Sequence, residues 1–417
     1  MQLKILMGRV RRKRKVLKKA LGIGLKNSKI KVFDDVQRTD DSPMRNVETD
    51  FGFYNRSARP EMELVRNIIE EFVNNYPDSE VDELVSRIRS GDDVHFRSAN
   101  FELFLHEALI RQGFILTPHP ELPNGRSSKP DFLVTDPCGE SFYLEAVLAT
   151  ENNELDKGGE AIKGIVFDTL SRSPHANFMI SIDDDGSPRS SPSGKKLKNK
   201  IHKWLDTLDP DEQIKKIEEL GLDSIAPMAW SYDGWDMQIR SIPLKPERRG
   251  RSTNLIGIGG FGCGWVDAWS PIRNAVKFKG GKYGDLDIPL VVAVNIDRFY
   301  LDRIDEMQAL FGQEQYLYTP DSDTEPKAQR APNGAWYGRR GPQYTRVSAV
   351  WIFNDLHASS LASRKSTVYF NPYAALSAPE SLKCFPFAFP EKNNMIWIEG
   401  LSFREIYDLH EGWPENT

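Results

Sequence analysis

Pro130-Asp131-Phe132-Leu133-Val134-Thr135-Asp136-Pro137-Cys138-Gly139-Glu140-Ser141-Phe142-Tyr143-Leu144-Glu145-Ala146-Val147-Leu148 is the stretch on which the fold turns. Two runs rich in β-branched and aromatic residues flank Asp136-Pro137-Cys138-Gly139, a set of turn formers, so the stretch reads as a β-hairpin. Side chains alternate along a strand. Phe142, Leu144 and Ala146 therefore share one face, and Tyr143, Glu145 and Val147 the other. A glutamate in mid-strand among apolar residues is costly unless it is paired or bound to a metal. Asp131 opens the partner strand, and a hairpin brings it to a position neighbouring Glu145. Two carboxylates held together repel, and a divalent cation relieves the repulsion.

Upstream, residues 99–112 read as a helix with Phe101, Phe104, Leu105, Ala108 and Leu109 in one apolar stripe and Gly113 as its stop. Glu102 lies about 100° round from Phe101, at the edge of that stripe. It can reach over the sheet edge, whereas Glu107 is expected to face water. A short strand at 114–117 and a Pro/Gly loop lead back to Asp131. Two shorter helices, at 61–75 and 81–89, come before. Residues 1–58 are polar and charged and read as a flexible basic tail.

Downstream, a helix is expected over about 160–172, with Ile162, Ile165, Val166 and Leu170 inward. A strand at 178–182 and a helix at 196–208 come next. Residues 228–230 and 237–242 suit antiparallel strands around Asp233-Gly234. Residues 271–282 look helical. Leu290 to Ile296 is an unbroken apolar run, as in a strand buried on both faces. A helix at 301–311, a polar excursion at 319–343 and strands at 347–353 and 367–370 complete the pattern. The expected division is a tail at 1–58, a helical lead-in at 59–95, a core at 96–210 and an α/β extension at 211–417 packed on that core. No linker separates Lys195 from Leu401, so one large mixed-sheet domain is expected.

The order of elements is helix with Phe101-Glu102, short strand, Pro130-Asp131-Phe132, then Tyr143-Leu144-Glu145-Ala146-Val147, helix and strand. It resembles the PD-(D/E)XK nuclease superfamily. The resemblance covers residues 100–183. Softer likenesses, to large restriction-endonuclease-like proteins, lie at Trp204-Leu205-Asp206, at Lys282-Tyr283-Gly284 leading to Pro289–Asn295, and at Val347-Ser348-Ala349-Val350. The resemblance implies an α/β, restriction-endonuclease-like mixed sheet flanked by helices, with a C-terminal α/β extension. It implies Mg²⁺ or Mn²⁺ on Asp131 and Glu145, with the Ala146 backbone carbonyl as a further ligand and Glu102 in support. It also implies hydrolysis of DNA phosphodiester bonds, in which the metal activates the attacking water.

One departure matters. The family's lysine stands two residues after the glutamate, where this chain has Val147. Either the lysine has moved to a neighbouring element, with Lys163 first and Lys129 second among candidates, or the fold binds nucleic acid or a partner protein without cutting.

The bulk properties agree with such a protein. Its 417 residues are 39% hydrophobic and 28% charged, an ordinary globular balance. No apolar run approaches a membrane span, and the basic start lacks the apolar stretch of a secretory signal. Cys138, Cys263 and Cys384 match no zinc spacing, so reduced thiols in the cytoplasm are expected. The net charge of −5 confines any nucleic-acid contact to local basic patches. These are Arg9–Lys19, the Lys195, Lys196, Lys198, Lys200 and Lys203 set, and Lys245 to Arg251. With Lys129, the second set is the expected DNA contact. A homo-oligomer or a defence-system partner is compatible with the resemblance. Gly257 to Gly264 lacks the lysine–serine pair of a phosphate loop and is set aside. So is Trp336 to Tyr344, an aromatic and basic stretch that would suit stacking on exposed bases but is read as a plain surface loop.

Overall fold

The computed structural model describes residues 30–149, 157–259, 268–296, 301–317, 327–391 and 394–415. The chain forms two compact units, one of residues 1–42, 49–151 and 267–417, the other of residues 43–48 and 152–266. The single domain expected from the sequence, and the proposed core of 96–210, are corrected by this division. The second unit is an insertion in the sequence of the first.

In chain order the larger unit begins with helices α1 (Asp50–Arg56), α2 (Pro60–Val73), α3 (Val81–Ile88) and α4 (Asp93–Arg111). Strands β1 (Ile115–Pro118), β2 (Phe132–Thr135) and β3 (Ser141–Ala149) follow. The smaller unit then contributes α5 (Lys157–Ser171), β4 (Phe178–Gly186), α6 (Gly194–Leu205), α7 (Pro210–Leu220), β5 (Met228–Tyr232), β6 (Trp235–Pro243) and β7 (Ile256–Gly259). The larger unit resumes with α8 (Trp269–Lys282), β8 (Leu290–Ile296), α9 (Arg303–Phe311), β9 (Glu314–Leu317), β10 (Lys327–Arg330), β11 (Tyr337–Gly338) and β12 (Gly341–Pro342). It ends with β13 (Val347–Asn354), β14 (Ser366–Phe370), β15 (Phe387–Glu391), β16 (Asn394–Ile398) and α10 (Phe403–Tyr407).

The larger unit is built on an eight-stranded mixed sheet in the order β1-β2-β3-β8-β13-β14-β15-β16. The first three strands are an antiparallel meander, and β8 lies parallel between β3 and β13. All seven residues of β8 are buried, which explains a sequence apolar but for Asn295, whose side chain is bonded to the Leu356 backbone: both faces are covered. Each fully buried Leu, Val or Ile there contributes about 1.5–3 kcal/mol. On one face, Phe142, Leu144, Val291 and Trp351 pack with Phe101, Phe104 and Leu105 of α4. On the other, Tyr143, Val292 and Val350 pack with Ile272, Val276 and Tyr283 of α8 and its end, and with Leu310 of α9. The alternation read along β3 thus divides its two cores.

The parallel step from β3 to β8 is made through α8. The sequence reading gave that place to the helix at 160–172 and the strand at 178–182. Those segments instead belong to the smaller unit, where β4 is central in the sheet β5-β6-β4-β7. Local periodicity identified each element correctly but carried no information on which sheet it joins. The β5–β6 hairpin does turn at Asp233-Gly234, with φ of 48° and 85°. Two successive positive φ values make the tight turn whose twist matches the strands.

Two further expectations are corrected. Residues 30–58 are not a tail throughout: Val32 and Phe33 are buried, α1 is helical, and Glu70 accepts the N–H groups of both Val32 and Phe33 at 2.9 and 3.0 Å. Glu107 is fully buried rather than facing water. It meets Arg111 at 2.5 Å and Asn75 at 3.1 Å, because α2 and α10 cover the side of α4 that looked exposed. No helix among the described residues is long and apolar enough to cross a membrane. Cys138 and Cys384 are unbridged; Cys263 and the stretch Arg9–Lys19 lie outside the described residues.

Candidate metal centre

Phe132 pairs with Leu144 across the β2–β3 ladder. Asp131, one residue earlier, therefore stands across from Glu145, and opposed residues of an antiparallel pair project to the same face. The Asp131 carboxylate accepts the backbone N–H of Ala146 at 2.6 Å. Glu145 is 1% exposed. One of its carboxylate oxygens accepts from the Lys279 ammonium and the other from the Tyr283 hydroxyl. The Lys282 ammonium lies 3.6 Å from the first of these oxygens.

Helix α8 supplies all three groups for a local reason. Ile272, Val276 and Gly280 are its buried residues, each four apart, and Tyr283 continues the same stripe just past its end. Lys279 and Lys282 border that stripe on the β3 side. A Cβ on Gly280 would lie 2.7 Å from the Val347 side chain, so glycine lets the helix sit close on the sheet. Both lysines are in the last turn, where the helix dipole favours cations. The loop before Asp131 is tied to the same end: the Asn124 side-chain amide donates to the Tyr283 and Asp285 carbonyls, each at 2.8 Å.

Burial, and then the neighbouring Glu145 and Glu102, push the Asp131 carboxyl well above the usual carboxylate range. The Ala146 N–H and Lys279 pull the other way. The Tyr283 hydroxyl is pushed up by burial and by the adjacent Glu145. It stays protonated and serves as a donor.

No protein-family model matches the chain, no curated protein is detectably similar in sequence, and no solved structure matches it. The chemistry of the site rests on its own geometry.

Would a divalent cation fit? Two carboxylates at opposed positions of the hairpin, Glu145 buried and Asp131 half-buried, are the hard oxygen donors that Mg²⁺ or Mn²⁺ prefers. Among the described residues no group of three His, Cys, Asp or Glu side chains stands ready to hold an ion. Glu102 is not a free third donor. It is 3% exposed, with one oxygen on the Tyr76 hydroxyl and the other 2.6 Å from Arg87. The fit is thus to a two-carboxylate centre at Asp131 and Glu145. His106, one turn beyond Glu102, packs against Tyr76 with the ring centroids 4.7 Å apart and the rings tilted. Burial lowers it to about 4, so it is a neutral packing residue at physiological pH.

The expected substitute lysines have partners of their own. Lys163 lies in the smaller unit and pairs with Glu160 and Asp184, each at 3.0 Å. Lys129 pairs with Glu121 at 2.5 Å, although its carbonyl lies 3.3 Å from the Tyr283 hydroxyl. The cation on Glu145 is Lys279, which the sequence reading missed. The available signal was a lysine flanking an apolar helical stripe just before a largely apolar strand. The nearer helix at 160–172 drew the assignment because the insertion was not recognised. On α6, Lys195, Lys196, Lys200 and Lys203 are exposed and Lys198 is half-buried, while Leu197, Ile201 and Leu205 face the core of the smaller unit.

Proposed function

We propose that the chain is a metal-dependent, cytoplasmic nuclease of the PD-(D/E)XK type that hydrolyses phosphodiester bonds in DNA. The observation that carries this reading is the Lys279 ammonium on Glu145, delivered by the helix that crosses from β3 to β8. A lysine absent from the position of Val147 is thereby restored from another element. Asp131 and Glu145 would hold Mg²⁺ or Mn²⁺, and the ion would supply Lewis-acid polarisation and a more acidic bound water. Lys279 holds its positive charge beside the acid pair, where it favours the negative charge that builds on a phosphate under attack. Lys282 adds a second positive charge at the rim. The largely exposed lysines of α6 would supply sequence-independent phosphate contacts.

The test is cleavage of plasmid DNA by the full chain with Mg²⁺ or Mn²⁺. Glu145→Ala should abolish cutting. Lys279→Ala should slow it about 100-fold or more, the usual cost of one charge-stabilising donor. Lys163→Ala and Lys129→Ala should stay within about threefold of wild type. DNA binding without cleavage in either metal would instead identify a nuclease fold that binds and does not cut.

A further inference from the structure

Glu145 has no idle oxygen. Lys279 and Tyr283 each donate to a different one, and Lys282 stands 3.6 Å from the first. Glu102 is equally committed, to Tyr76 and Arg87. Asp131 spends one oxygen on the Ala146 N–H. Glu145 is therefore already paired by protein groups. A cation approaching Glu145 meets an ammonium already there.

We infer that Lys279 and a divalent cation compete for Glu145, and that a phosphodiester substrate shifts the competition by giving the ammonium a new partner. This inference rests on the nuclease reading above and adds a substrate-dependent step to it. An ammonium in contact with Glu145 and an ion coordinated by the same oxygen would stand within a few ångströms, and like charges that close disfavour one another. A phosphate oxygen at the site offers the ammonium a charge-assisted hydrogen bond and offers the ion a further hard ligand. In this exchange the Lys279 side chain only changes partner. Its side chain is 16% exposed against 1% for Glu145, so it is the member of the pair with an outlet toward solvent. Tyr283 is a positioning residue: held by Glu145 and packed in the core of α8, it fixes the second oxygen. The coupling is reciprocal. Metal should tighten DNA binding by the same factor as DNA tightens metal binding.

The experiment measures Mn²⁺ affinity of the full chain by calorimetry or electron paramagnetic resonance, without cleavage as the readout. It is done alone and with an uncleavable phosphorothioate duplex. Wild type should bind Mn²⁺ weakly alone and at least about tenfold more tightly with the duplex. Lys279→Met should bind Mn²⁺ about tenfold or more tightly than wild type without DNA, and gain little further from DNA. Tyr283→Phe, which leaves Lys279 in place and frees one oxygen, should tighten Mn²⁺ by a smaller factor; it also serves if Lys279→Met folds poorly. Mn²⁺ binding that needs Glu145 but is weakened or unchanged in both variants overturns the competition while leaving the metal centre standing. Mn²⁺ binding indifferent to Glu145→Ala, or no binding at all, overturns both.

Discussion

Glu306 offers a quantitative test of the packing on the α8 face of the sheet. It lies buried on α9, bonded by the Tyr369 hydroxyl, which itself accepts from the Trp397 indole at 3.2 Å. Burial raises its carboxyl from the ordinary 4.5 to about 7. Tyr369 and Arg303 oppose that rise, and Asp302 and Asp305 add to it. The fold thus prefers the protonated acid. Its contribution is fully present below about pH 4.5 and is lost as pH rises through about 7. At about 1.4 kcal/mol per pH unit, the loss is roughly 3 kcal/mol. Glu306→Gln removes the titration while keeping an acceptor for Tyr369. Urea unfolding of wild type and variant at pH 5, 6, 7 and 8 is the assay, with the transition of the larger unit followed by its buried tryptophans. The variant should be less stable at pH 5 and equal or more stable at pH 8, so the two curves cross. Parallel curves, or a wild type that gains stability from pH 5 to pH 8 relative to the variant, would refute the reasoning.

Other expectations follow from the same contacts. Glu102→Gln leaves Arg87 without its buried countercharge and should cost about 1–3 kcal/mol, less than a fully buried pair because Arg87 is partly exposed. The same variant should leave Mn²⁺ affinity within about threefold of wild type, since both Glu102 oxygens serve Tyr76 and Arg87; a larger loss would reinstate Glu102 as a metal ligand. Replacing Lys195, Lys196 and Lys200 together by alanine should lower the log–log salt slope of DNA binding by about 0.9 for each phosphate contact removed. An unchanged slope would move the phosphate track off α6.

The β2–β3 hairpin and the two carboxylates on one of its faces were legible in the sequence. So were the α4 stripe, the largely apolar β8 and the Asp233-Gly234 turn. Each rests on interactions within a few residues: pleat alternation, helical spacing and turn conformation fix them before any distant contact forms. Glu102 was read as lying at the edge of the apolar stripe, but its partners Tyr76 and Arg87 come from outside α4, and they make it half of a buried ion pair. The burial of Glu107 likewise waited on α2 and α10. The cation of the site was decided by tertiary structure alone. Lys279 reaches Glu145 across 134 positions of sequence, because the smaller unit is inserted between β3 and the helix that follows it in space. Strand pairing chooses partners by burial and register over the whole chain, and a local pattern cannot reveal which of two later helices will cross back over the sheet.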